Sequence, residues 1–71
     1  MIDLNLCKEG DKLKTIHGTI LTYICKLPPG SYYEHKIQYP DGSFGTRTDE
    51  GFTYKKNRLL EDEDVCEIIG Q

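Results

Sequence analysis

Two pairs of aromatic residues and three cations stand where they could recognise a ligand. Tyr32 and Tyr33 follow the Pro28-Pro29-Gly30 break, while Phe52 and Tyr54 follow Asp49-Glu50-Gly51 and lead into Lys55, Lys56 and Arg58. Aromatic faces beside ammonium and guanidinium groups suit a peptide, a cationic side chain or a stacked base. Arg58 adds the planar fork that grips a carboxylate or phosphate with two parallel hydrogen bonds. Each group also has a plainer reading. The rings can complete a core that has no Trp, and the cations can be offset by the Glu61-Asp62-Glu63-Asp64 run that follows them.

Other chemistry finds little support in the residue pattern. Ser31 and Ser43 lie in turn-forming stretches with no base beside them in sequence, so no nucleophile is set up for covalent catalysis, and no enzyme is expected. The acidic run lacks the glycine and the spaced oxygen ligands of a calcium loop and reads as a solvated turn before the last strand. His17, His35 and the three cysteines show no metal-ligand spacing, and His35 reads as a hydrogen-bonded residue at the edge of a half-buried strand. No cofactor motif is present.

The elements that must carry these residues are strands. Tyr39-Pro40-Asp41-Gly42-Ser43 and Thr48-Asp49-Glu50-Gly51-Phe52 each read as a type I turn closed by a left-handed glycine, so three consecutive strands reverse on one another. Residues 33–39 alternate, with Tyr33, His35, Ile37 and Tyr39 on one face and Glu34, Lys36 and Gln38 on the other. Residues 44–48 and 52–54 are its expected successors. Upstream, residues 11–16 and 19–26 form strand candidates joined by a two-residue turn at His17-Gly18. Branched and aromatic residues fill both faces of residues 19–26, which places that strand centrally and leaves its core face open. Residues 1–7 read as a short strand or an extended lead-in, and Val65–Ile69 as a closing strand. Leu59-Leu60 are expected to plug one end, and helix is limited to a turn near residues 57–64. Five or six short strands joined by tight turns predict an all-β fold, a small barrel whose closure removes exposed edges.

Seventy-one residues suit one domain, residues 1–71, with a thin core, tyrosines at its margin with wet hydroxyls, and binding in a surface groove rather than a deep cavity. The net charge is −3, but residues 1–60 carry nine basic and seven acidic side chains and residues 61–71 carry five acidic ones, so the body is nearly balanced. A uniformly basic nucleic-acid footprint is absent. Cys7, Cys25 and Cys66 are odd in number and widely spaced, which predicts reduced and mostly buried thiols. No leader-like segment or membrane-length apolar run is read, so the expected compartment is the cytoplasm, with no membrane partner.

The order Gly10-Asp11-Lys12-Leu13, His17-Gly18, the Tyr-Pro-Asp-Gly-Ser-Phe hairpin and a final Asp-Val-Cys-Glu-Ile-Ile strand resembles SH3-like barrels of the KOW and Tudor kind. It also resembles short bacterial and phage proteins with the same plan. The resemblance implies a ligand groove between strand-connecting loops, lined by aromatic side chains. The chain has neither the groove Trp nor the Ala-Leu-Tyr-Asp-Tyr-like run of peptide-binding SH3 domains, and it is acidic where KOW-type binders are usually basic. The expected function is a non-enzymatic protein-interaction module using Tyr32, Tyr33, Phe52 and Tyr54. The alternative is a KOW-like nucleic-acid accessory protein using Lys55, Lys56 and Arg58. A monomer or weak homodimer is expected, with residues 33–39 as a candidate pairing edge.

Overall fold

Three turns of one design set the architecture. In a computed structural model that describes residues 2–55 and 61–71, the amide of Gly18 donates to Thr15, that of Gly42 to Tyr39 and that of Gly51 to Thr48, at 3.0, 3.0 and 2.9 Å. Each glycine has positive φ, at 100°, 93° and 88°, and the residue after it accepts the hydrogen bond that closes the loop: Thr15 N–H to Thr19, Tyr39 N–H to Ser43, Thr48 N–H to Phe52. This is the type I turn with a glycine bulge expected for the second and third turns. The first differs from expectation: Ile16-His17-Gly18 is a three-residue loop, which spares His17 the left-handed conformation that a two-residue turn would have required.

The first two turns and a loop through Pro28-Pro29-Gly30 join the first four of five antiparallel strands: β1 (Lys12–Thr15), β2 (Ile20–Lys26), β3 (His35–Gln38), β4 (Phe44–Arg47) and β5 (Val65–Gly70). Their order in the sheet is β4-β3-β2-β1-β5. The fold is all-β as expected, with one 3-10 turn at Leu4–Leu6 in place of an N-terminal strand. Leu4 is buried there and its amide donates to the Asp49 carbonyl at 2.8 Å, whereas Leu6 is 74% exposed. The expected strand at residues 52–54 is also absent. The Thr53 amide turns instead to the Asp64 carboxylate at 2.7 Å, which draws this segment toward the start of β5. The expected end-plug at Leu59-Leu60 and most of the expected helical turn lie outside the described residues.

One face of the sheet is core. Leu13, Leu21, Tyr23, Ile37 and Val65 are buried with Leu4, so the inner face of β2 is the one carrying Leu21 and Tyr23. Directly opposed residues share a face, and the register Leu13↔Leu21 and Tyr23↔Ile37 stacks these side chains row by row. A register shift between Tyr23 and Cys25 leaves Cys25 outside and exposed. Cys66 is exposed as well and Cys7 half-buried, so the expectation of mostly buried thiols is corrected.

The sheet does not close into a barrel: among the described residues β4 and β5 share no ladder. Arg47 spans the interval instead. It is 1% exposed, and its guanidinium donates to the Glu63 carbonyl through Nε (3.1 Å) and Nη2 (3.0 Å), to the Thr46 carbonyl (2.6 Å) and to the Tyr39 hydroxyl (2.8 Å). Gly45 makes room for this arrangement, because a Cβ there would lie 2.9 Å from the Tyr39 ring. β3 lies between β2 and β4, so residues 33–39 offer no free edge and the candidate pairing edge is corrected. Among the described residues, no helix is long and apolar enough to cross a membrane.

Candidate functional site

The sequence-predicted rings and cation meet beside an open cleft at the end of β3 and β4. Tyr32 and Tyr33 lie in the irregular stretch that leads into β3, their rings edge to face with centroids 5.0 Å apart. Lys55 reaches them from the segment after the third turn. Its ammonium donates to Glu34 Oε2 at 2.7 Å and stands 5.0 Å from the Tyr32 centroid and 5.9 Å from that of Tyr33. The Glu34 carboxylate raises the Lys55 pKa by favouring its charged form.

The cleft holds about 530 Å³ and is lined by Glu34, Thr48, Asp49, Glu50, Phe52 and Lys55. Phe52 and Lys55 thus line the same cleft, and Tyr32 and Tyr33 stand beside Lys55. Tyr54 is 54% exposed and makes no ring contact among the described residues. Lys56 and Arg58 lie outside the described residues. Three carboxylates against one lysine give the cleft a negative balance, and that lysine is already committed to Glu34.

Behind the cleft wall stands a polar relay that residue types alone did not reveal. His35 is fully buried, with Nδ1 2.7 Å from the Tyr23 hydroxyl and Nε2 2.7 Å from Asp49 Oδ1. A carboxylate only accepts, so Nε2 carries the proton, and in the neutral imidazole Nδ1 accepts from Tyr23. Burial pushes the Tyr23 phenol up to about 12. The His35 hydrogen bond holds the Asp49 carboxyl below its ordinary range and fixes it on the cleft wall, where the side chain is still 42% exposed.

This relay corrects two expectations. His35 is a central core residue rather than an edge one, and the hydroxyl of Tyr23 is enclosed on His35 rather than wet. A third correction concerns the acidic run, because Asp64 is only 3% exposed. Its carboxylate accepts from the amides of Thr53 (2.7 Å) and Glu61 (2.9 Å), so it pins two loop segments together. Glu34 and Asp49 escaped sequence reading because each looks like an ordinary turn or surface acid. The one available signal was the alternation of residues 33–39, which set His35 on the same face as Ile37.

No protein-family model, no curated protein and no solved structure matches this chain.

Proposed function

We propose that this protein is a non-enzymatic protein-interaction module that takes a basic side chain of a partner peptide into the cleft beside Tyr32 and Tyr33. The observation that carries this reading is the position of Lys55: an ammonium group already rests on a carboxylate at 2.7 Å with two tyrosine rings beside it. A cation flanked by aromatic faces and paired with an acid is the arrangement by which proteins hold lysine-like and arginine-like groups. In this chain Lys55 fills the place itself, and a partner's cation competes for it. Asp49, oriented by His35, and Glu50 supply further negative charge along the cleft, and Phe52 supplies an apolar wall.

The non-enzymatic part of the reading is supported by the enclosure of the Tyr23 hydroxyl. The Tyr-His-Asp sequence of hydrogen bonds resembles a proton relay, but its hydroxyl end is closed off in the core, where no substrate meets it. The SH3-like plan, with a ligand groove between loops, agrees with five antiparallel strands in an open sheet and belongs to this proposal.

The test is an amide NMR titration with short peptides that carry or lack lysine and arginine. Lys55→Ala vacates Glu34 and is expected to bind basic peptides about tenfold more tightly than the unmodified chain, with shifts centred on Glu34, Asp49 and Phe52. Glu34→Gln is expected to weaken that binding. Equal binding of neutral and basic peptides, or no response of Lys55→Ala at millimolar peptide, rejects the reading.

A further inference from the structure

The outer face of the sheet has a charge opposite to that of the cleft. The register runs Phe44↔Gln38, Gln38↔Thr22 and Thr22↔Lys12 across four strands, so these residues form one row on the face turned away from the core. Two positions along β3 and β1 from that row, Lys36 and Lys14 share the same face. Among the residues these ladders place here, three are lysines and one, Glu67 opposite Lys14, is acidic, a balance of 3 − 1 = +2 on a chain whose total is −3. The acidic residue of the adjoining turn, Asp41, is tied to Ser43 by hydrogen bonds of 2.6 and 2.9 Å.

Two of these lysines are held by neighbouring side chains. Lys36 Nζ lies 4.2 Å from the centroid of Phe44, and Lys12 Nζ donates to Thr22 Oγ1 at 2.8 Å. Phe44 stays 56% exposed in spite of its lysine, so part of its ring is open to stacking. Strand spacing and rise put Lys36 and Lys14 about 16 Å apart on a diagonal that passes Lys12. The face therefore offers a line of three ammonium groups with an aromatic ring at one end.

We infer that this outer face binds single-stranded nucleic acid. Phosphates would follow the diagonal of Lys36, Lys12 and Lys14, and an unstacked base would lie on Phe44. An acidic protein would satisfy the lysines but leave the ring without a planar partner, and a duplex keeps its bases stacked on one another. The overall charge of −3 opposes a polyanion at long range, so binding must rest on these local contacts and be strongest at low salt. This surface is separate from the peptide cleft, so it stands or falls independently of that reading.

The experiment is fluorescence anisotropy of the full chain with labelled oligothymidylate, beginning at ~50 mM salt. Three phosphate contacts predict a slope of log K on log salt of about −2. Phe44→Ala is expected to weaken binding roughly tenfold by loss of one stacked base. Lys14→Ala combined with Lys36→Ala is expected to weaken it at least as much and to flatten the slope, while Lys8→Ala, which removes an exposed lysine elsewhere, leaves it unchanged. All four side chains are on the surface, so unchanged circular dichroism and unfolding midpoint will show that the fold is intact. No binding at ~50 mM salt overturns the inference. So does an affinity indifferent to Phe44, or equal competition by poly-glutamate at matched charge, since either leaves a general polyanion contact without base stacking.

Discussion

Tyr23, His35 and Asp49 put two hydrogen bonds of 2.7 Å and a titratable phenol inside a molecule with little core to spare. The phenol has a pKa of about 12 in the folded chain because burial disfavours the phenolate, against about 10 in an unfolded one. The folded state therefore holds this proton more tightly than the unfolded state does. Its contribution to stability is complete below pH ~10 and is lost as the pH rises toward ~12. Urea unfolding followed across this interval is expected to show a falling midpoint. Tyr23→Phe should be less stable than the parent near neutrality, by about 1–3 kcal/mol for an unpaired His35 nitrogen, and should lack this residue's share of the alkaline fall. An identical alkaline profile in both proteins contradicts the assignment. Asp49 has the opposite sign: its depressed carboxyl stabilises the fold at neutral pH, and this is lost as the pH drops below ~4.

The three glycine-closed turns form the next level, and they differ in what surrounds them. A Cβ at Gly42 would meet nothing within 4 Å, whereas one at Gly51 would lie 2.8 Å from Ile2 and 3.0 Å from the backbone oxygen and Cβ of Val65. Both have positive φ, so Gly42→Ala is expected to cost about 1 kcal/mol from backbone conformation alone. Gly51→Ala should cost clearly more, since the start of β5 must shift, and paired chemical denaturation curves give the comparison directly. Equal losses at the two sites would mean that Gly51 has no packing role. Thr15 and Thr48 reinforce their loops through Oγ1, which accepts from the amides of Thr19 and Phe52, both at 3.0 Å. The second and third turns were readable from residue order because their chemistry is confined to about five residues. The same locality explains the error at residues 52–54: strand propensity there yields to a hydrogen bond from the Thr53 amide to the Asp64 carboxylate, eleven residues away.

Across the molecule, Arg47 ties the end of β4 to the segment that leads into β5. Arg47→Met keeps much of the side-chain volume but leaves the Glu63 and Thr46 carbonyls and the Tyr39 hydroxyl without this donor, for an expected loss of about 2–4 kcal/mol. Amide hydrogen exchange should quicken in β4 and at the start of β5, while β2, paired on both sides, keeps its protection. Unchanged exchange in β4 would show that this strand is held in place without the guanidinium. The fold also separates charge: carboxylates of the loops line the cleft at one end, and lysines of β1 and β3 share the outer face.

Residue order alone was enough to establish the second and third reversals, the alternation of residues 33–39 and the all-β class. Each of these depends on turn preference or on a period of two, which act between near neighbours in the chain. The open seam, the burial of Arg47, the His35 relay and the lysine diagonal depend on which strands stand side by side and in what register. Arg47 meets the Glu63 carbonyl across sixteen residues, and His35 meets Asp49 across fourteen. Such contacts follow from packing the whole chain at once, so no short stretch of residues encodes them.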